Sequence, residues 1–285
     1  MLKYCRIFVL LVLGILGFFL ALLICLPRPF NPRNTSLVTR YILAPAARIV
    51  GLKIHMEEPE FLAGMKSAVY AGNHQSNWDI VALAPCVRPG VIAIGKKSLV
   101  WVPLFGLIYF LAGNVRLDRE NKQKAMETMN KVSQDLGSGK YSIWIFPEGT
   151  RSKGTGLGKF KPGAIVTASE AGVPLVPIVA STYFDDFDMN RWNNGHVLIK
   201  YLDPIEYPKF DMKNKEDLRR VRTCTQELHD LFAREIESLN AKALEMNQAD
   251  GVKPGKKKAQ ASGGAAGAGD STASGGKDGE PGAGA

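Results

Sequence analysis

His74 and Asp79, five positions apart in the run Asn73-His-Gln-Ser-Asn-Trp-Asp79, are the side chains of this chain best suited to moving a proton. A neutral imidazole takes up a proton near physiological pH, and a carboxylate held against one ring nitrogen leaves the other free to act as the base. On one continuous helix, five residues would set the two side chains roughly 140° apart. They meet only if His74 sits in a turn. The flanks predict that turn: Ser67-Ala-Val-Tyr-Ala-Gly72 reads as a short buried strand, and Asp79-Ile-Val-Ala-Leu-Ala84 as the start of a helix. Ser76 lies in the same turn, but no Gly-x-Ser-x-Gly elbow marks it as a nucleophile. Trp78 is read as packing the turn. His55, His196 and His229 have no motif around them.

A second segment, Phe146-Pro-Glu-Gly-Thr-Arg-Ser152, changes the weight of the pair. With Gly113-Asn-Val-Arg-Leu-Asp-Arg119 and Val173-Pro-Leu-Val-Pro-Ile178, it makes four blocks in order over about 105 residues. In these blocks the chain resembles the glycerolipid acyltransferase family, whose members carry His-x-x-x-x-Asp and, later, Phe-Pro-Glu-Gly-Thr-Arg; the likeness covers roughly residues 40–240. The resemblance implies transfer of an acyl group from a thioester, acyl-CoA or acyl carrier protein, to the 2-hydroxyl of 1-acyl-sn-glycerol-3-phosphate. It leaves open another acceptor, glycerol-3-phosphate or another lysophospholipid, and a non-catalytic lipid-binding protein of the same fold. Lysophosphatidic acid and membrane lipid are the partners it implies. No cofactor, metal or nucleic-acid partner is called for.

For such a reaction His74 takes the proton of the acceptor hydroxyl as it attacks the thioester carbonyl, and Asp79 holds the ring. A thiol with a pKa near ~8.5 leaves as thiolate without strong acid help. The acceptor's phosphate needs cations and backbone N–H groups. The resemblance assigns this to Arg119, Glu148, Gly149 and Arg151, with Glu148 orienting an arginine or a glycerol hydroxyl. Arg116 departs from the family pattern, which is more often apolar there, so it either assists binding or reaches solvent. Lys97 is the preferred lysine, because the family commonly has one before an apolar segment. Lys96, Lys159 and Lys161 rank behind it. The segment after Lys97, Leu99–Leu111, has no charge for 13 residues and lines an acyl groove, dips into lipid, or is plain core.

The elements that must position these residues follow from hydrophobic pattern. Strands are predicted at 67–72, 90–95, 114–117, 141–146, 175–180 and 196–201, and helices at 79–85, 122–136, 164–171 and 215–242. Their alternation predicts an α/β fold, a mixed, mostly parallel sheet flanked by helices. A further amphipathic stretch, 37–50, packs the body onto the membrane interface or faces the core. Residues 1–33 are expected to form an N-terminal membrane helix and its flank, 34–248 the acyltransferase domain, and 249–285 a disordered tail.

The run 7–26 holds no charge, and twenty residues rise about 30 Å, the thickness of a bilayer's hydrocarbon core. No small-residue cleavage site follows it, so it is read as a retained anchor. Lys3 and Arg6 precede it and Arg28, Arg33 and Arg40 follow, a slight excess that favours a cytoplasmic domain. The resemblance implies the same face, of a bacterial inner membrane, and also allows helices lying within one leaflet. Eleven Gly and eight Ala among the last 35 residues cannot bury a core. The tail carries only +2 of the net charge of +9, so the body is basic, which suits an anionic membrane surface and phosphate-bearing substrates. Four scattered cysteines, at 5, 25, 86 and 224, show no metal or disulfide spacing, as in a reducing compartment.

Overall fold

The computed structural model describes residues 1–118, 120–183 and 187–252, with Lys122 described by its backbone alone. Among the described residues seven strands form one sheet: β1 (Lys53–Met56), β2 (Val69–Gly72), β3 (Val91–Lys96), β4 (Val115–Leu117), β5 (Ser142–Ile145), β6 (Leu175–Ala180) and β7 (His196–Tyr201). Their spatial order is β1-β7-β6-β2-β5-β3-β4. Only the β6–β7 pair is antiparallel; the other neighbours run parallel. The six predicted strands are all present, and the mixed, mostly parallel sheet is as expected. β1 was not anticipated. Its four residues include Lys53 and His55, and it sits at the sheet edge with an exposed–half-buried alternation that carries little apolar signal.

Eight α-helices accompany the sheet among the described residues: α1 (Leu2–Cys25), α2 (Arg33–Val38), α3 (Ala46–Ile49), α4 (Asp79–Ala82), α5 (Phe105–Leu111), α6 (Lys122–Gly137), α7 (Gly163–Ala171) and α8 (Lys215–Ala249). Strand side chains alternate between two cores, one on each face. Val69 and Ala71 pack with Leu136 of α6, Ile165 of α7 and Phe232 of α8. Tyr70 points the other way, with Val50, Leu62 and Val81. Both faces are covered, so β2 and β6 are buried along their whole length. The amphipathic stretch 37–50 is not one helix. It runs from α2 through a wide turn at Thr39–Leu43 and breaks at Pro45, which offers no N–H, before α3. The second unanticipated element, α5, has no polar face from which a helical period could be read. Its Gly106, Ile108 and Tyr109 are buried, while Trp101, Val102, Leu104 and Leu107 of the same uncharged segment are exposed.

α1 lies along the body instead of projecting from it. Its inner stripe, Arg6, Gly17, Ala21 and Cys25, is buried, and Leu10 packs on the core below. Gly17 permits the close approach, because a Cβ there would come within 2.6 Å of Cγ2 of Ile42. At its start, the Arg6 guanidinium donates to the carbonyl oxygens of Met189 (3.0 Å), Arg191 and Trp192 (3.1 Å). Past its end, the N–H of Phe30 donates to the carbonyl of Leu111 (2.8 Å). The outer stripe, including Phe8, Leu11, Leu16, Phe19 and Leu23, is exposed among the described residues. With Trp101, Leu104 and Leu107 it makes one apolar surface of a kind that soluble monomers rarely expose.

Arg6→Ala removes a donor shared by three carbonyls, of which that of Arg191 also accepts the Asn194 amide at 3.5 Å, and should loosen the start of α1. The expected cost is about 1–3 kcal/mol, read as faster limited proteolysis between α1 and α2 in detergent. Gly17→Val should do the same by steric displacement. Unchanged cleavage in both variants would mean that the contacts around Phe30 and α2 hold the helix alone.

Candidate active site

Parallel strands bring their C-terminal ends to one edge, where open α/β sheets place their sites. On that edge stand the turn after β2 with His74, the loop after β5 with Glu148 to Lys161, the end of β3 with Lys97, and Ser181 to Tyr183 after β6. His74 lies in the β2–α4 connection and Asp79 is the first residue of α4, so the turn the spacing required is there.

His74 Nδ1 lies 2.5 Å from Asp79 Oδ2. An ionised carboxylate only accepts, so Nδ1 carries the proton and Nε2 keeps its lone pair. The imidazole plane is fixed by Phe146, stacked at 4.0 Å between centroids and 11° between planes. Asp79 is only 3% exposed, and its charge is tolerable there because donors surround it. Its Oδ2 also accepts the N–H groups of Gln75 (2.7 Å) and Ser76 (3.1 Å), and its Oδ1 accepts the Tyr183 hydroxyl at 2.5 Å. Burial and the Asp79 charge together push the Tyr183 phenol pKa well up, so the phenol stays a donor. Its single proton goes to Asp79, so the Ser76 hydroxyl 3.0 Å away must donate to Tyr183. Ser76 Oγ in turn accepts the N–H of Trp78 at 3.0 Å. Ser76 is fully committed to the turn, which agrees with reading no nucleophile into it.

The Phe146–Ser152 block is bonded directly onto this turn. Glu148 Oε1 accepts the backbone N–H of His74 at 2.6 Å, and Oε2 accepts that of Gly158 at 2.9 Å. Burial raises the Glu148 pKa, against the opposing pull of those two N–H groups. The N–H groups of Ser152 and Lys153 donate to the carbonyls of His74 and Gln75, both at 2.9 Å. Arg151, exposed, is therefore next to a residue tied to His74 itself. Gly149 adopts φ +70°, which a side chain would strain, and the Lys161 side chain lies over it, with Nζ 3.1 Å from where a Cβ would be.

His74, Asp79, Glu148, Gly149 and Arg151 thus form one cluster. Lys97 is two strands away, roughly 10 Å across the sheet, and is paired with Asp118 at 3.4 Å. Arg119 lies outside the described residues. Lys161, ranked low by sequence, is nearer the cluster than Lys97. Among the described residues no group of three or more His, Cys, Asp or Glu could hold a metal.

Three members of the site carried no sequence signal. Tyr183 is 104 residues from Asp79 in the chain and belongs to no motif. The Asn73 amide donates to the Ala180 carbonyl (3.0 Å) and accepts that residue's N–H (2.9 Å). The Gln75 amide likewise donates to the Ser181 carbonyl (2.9 Å) and accepts the N–H of Tyr183 (3.1 Å). Both imitate backbone and continue the β2–β6 pairing past the end of the strand, into the turn that holds His74.

Comparison with known proteins places this arrangement. A family model described as Acyltransferase matches residues 53–181, which include both motifs. A 1-acyl-sn-glycerol-3-phosphate acyltransferase of Haemophilus influenzae is 39% identical over 249 residues, 87% of this chain and 100% of that protein. The chain belongs to the 1-acyl-sn-glycerol-3-phosphate acyltransferase family. The Escherichia coli protein of the same name is 36% identical over 218 residues, 76% of this chain and 89% of its own length. The crystal structure of the 1-acyl-sn-glycerophosphate (LPA) acyltransferase of Thermotoga maritima superposes with a TM-score of 0.57 at 23% identity, covering 83% of this chain and 98% of that one, so the fold is shared.

Tyr183→Phe removes one donor from the buried carboxylate of this acyltransferase and should cost about 1.5–3 kcal/mol in urea denaturation; no loss would show that the bond contributes nothing to the folded state. Glu148→Gln should be destabilised because its amide NH₂ must face a backbone N–H. Since burial raises the Glu148 pKa, the folded state loses stability as pH climbs from the ordinary glutamate value through the raised one. The advantage of wild type over Glu148→Gln should therefore be larger at about pH 4 than at about pH 8. The opposite trend would mean that the two N–H bonds outweigh burial.

Proposed function

We propose that the protein is a membrane-bound O-acyltransferase that transfers an acyl group from an acyl thioester to the 2-hydroxyl of 1-acyl-sn-glycerol-3-phosphate, giving phosphatidic acid. The observation that carries the reading is the His74–Asp79 pair, with Nδ1 committed to the carboxylate and Nε2 bearing no partner among the described residues. In this reading His74 Nε2 removes the hydroxyl proton as the oxygen attacks the thioester carbonyl carbon. Asp79 stabilises the imidazolium that results. The tetrahedral intermediate collapses by breaking the carbon–sulfur bond, the thiol leaves as thiolate, and the imidazolium returns its proton to solvent or to the thiolate. Atoms and charge balance without a covalent enzyme intermediate.

Arg151, Lys161, Lys97 and Arg119 are the cations proposed to hold the acceptor phosphate. Strand spacing ranks them. Arg151 and Lys161 follow β5, the immediate neighbour of β2, while Lys97 follows β3, roughly 10 Å across; Arg119 is included on its motif alone. Glu148 acts as a positioning residue that holds the His74 backbone, and Gly149 shapes the loop that presents Arg151. The donor is acyl-CoA or acyl carrier protein, either of which a basic body attracts.

The domain division proposed is a membrane anchor over 1–33, the acyltransferase domain over 34–248 and a tail over 249–285, most of which lies outside the described residues. α1 is long and apolar enough to cross a bilayer. Its attachment along the body supports a placement in which its outer stripe is immersed in one leaflet, because a crossing helix would draw the body in with it. The basic residues after it support the cytoplasmic face.

With labelled acyl-CoA and lysophosphatidic acid, His74→Ala should lose at least about 100-fold in turnover while binding membranes as wild type does. Equal turnover would remove His74 as the base. Arg151→Ala and Arg119→Ala should mainly raise the acceptor KM; an effect confined to the thioester would contradict their assignment.

A further inference from the structure

A cavity of about 330 Å³ lies away from the His74 edge. It lies at the opposite edge of the sheet, in the notch where β4 starts later than β3. Ile92 near the start of β3, Gly113 and Asn114 ahead of β4, and Tyr141 ahead of β5 line it. Its charged lining is three cations, Arg116, Lys131 of α6 and Lys140, against one carboxylate, Asp135. That carboxylate is already taken, by Lys140 at 3.2 Å and by the Tyr141 hydroxyl at 3.1 Å. Arg116 and Lys131 have no carboxylate partner among the described residues.

The other wall is aromatic. Phe110 of α5 lies beneath the Arg116 guanidinium, 4.7 Å from its centroid, and meets Phe30 edge-on at 5.1 Å. The stack holds the guanidinium against the wall instead of letting it range through solvent. Phe30 is held there at a cost, since φ +62° is unfavourable for a bulky side chain, and the ring it presents is 54% exposed. It stands five residues past the last residue of α1, which puts the cavity at the level of lipid headgroups if α1 lies in the leaflet as proposed above.

We infer that this cavity is a second phospholipid site, distinct from the acyl-transfer site, which takes the phosphate of an anionic phospholipid headgroup between Arg116 and Lys131 while its chains leave past Phe30 and Phe110. A phosphate presented by lipid, and not one free in solution, fits best because half the wall is apolar and that half is the side toward α1. The assignment also gives Arg116 a role that the motif around it does not. It rests on the membrane placement of α1, so the test separates the two.

The full-length protein is titrated with vesicles of phosphatidylcholine alone and with vesicles containing phosphatidylglycerol. Binding to the neutral vesicles reports α1; the extra affinity for the anionic ones reports the cavity and general charge. Arg116→Gln/Lys131→Gln should lose about tenfold of that extra affinity and nothing on neutral vesicles. Arg219→Gln/Arg222→Gln, which removes two exposed charges from α8, should lose no more than about twofold. Equal losses in the two double variants, or none in the first, overturn the site. Inorganic phosphate at constant ionic strength should leave the extra affinity intact; abolishing it would assign the cavity to a soluble phosphate and overturn the lipid reading. In neutral micelles both variants should turn over lysophosphatidic acid as wild type does. A raised acceptor KM in the first alone would move the cavity into the acceptor site and equally overturn the inference. Failure of every form, wild type included, to bind neutral vesicles would instead sink the placement of α1.

Discussion

A carboxylate that is 3% exposed can stay ionised only where donors replace the water it has lost, and Asp79 has four. Two come from the backbone of its own turn, one from His74 and one from Tyr183, brought in by the neighbouring strand. Each condition on this carboxylate propagates. The turn must close so that the N–H groups of Gln75 and Ser76 point inward, β6 must end where Tyr183 can reach back, and the imidazole must stand in the remaining direction. What looks like a five-residue motif is thus held by elements more than a hundred residues apart.

The same logic explains how the later motif serves the earlier one. Glu148 does not extend toward the open edge. Both of its oxygens are occupied by backbone N–H groups, one of them that of His74. Two strands of a parallel sheet can only present their loops side by side; they cannot orient one loop against the other. Glu148, with the Ser152 and Lys153 N–H groups on the carbonyls of His74 and Gln75, supplies that orientation. A displacement of the β5 loop would move the imidazole with it.

Much of this was legible in the residues. The strand–turn–helix around His74 follows from the apolar run before it and the spacing to Asp79, and the six main strands follow from apolar runs of strand length between helical patterns. Other parts were hidden for physical reasons. β1 is an edge strand of four residues whose alternation is too short to stand out, and α5 is apolar on every side, so it shows no helical period. Glu148 has the residue type of a ligand binder, and only its partners reveal a brace. Tyr183 lies in no motif, and its partnership with Asp79 is created by topology alone. Lys97, the preferred lysine by sequence, stands across two strands with Asp118 beside it, whereas the Lys161 side chain lies over Gly149, a proximity that the order of residues does not announce.

The placement of α1 ties these local arrangements to a membrane. The carbonyls that hold Arg6 belong to the β6–β7 connection, which leaves the sheet on the same edge as His74. The other end of the helix is held at Phe30, beside the start of β4. A helix of 24 residues rises about 36 Å, so it runs across the sheet from the site edge to the opposite one. A leaflet receiving its outer stripe would meet both edges at once. An acceptor could then keep its acyl chain among lipids while its headgroup reaches the β5 loop, and the enzyme would not have to extract it. Sites at the two ends of α1 would fix the tilt of the body as well as its depth, because one contact sets a distance from the membrane whereas two, on opposite edges, set an angle.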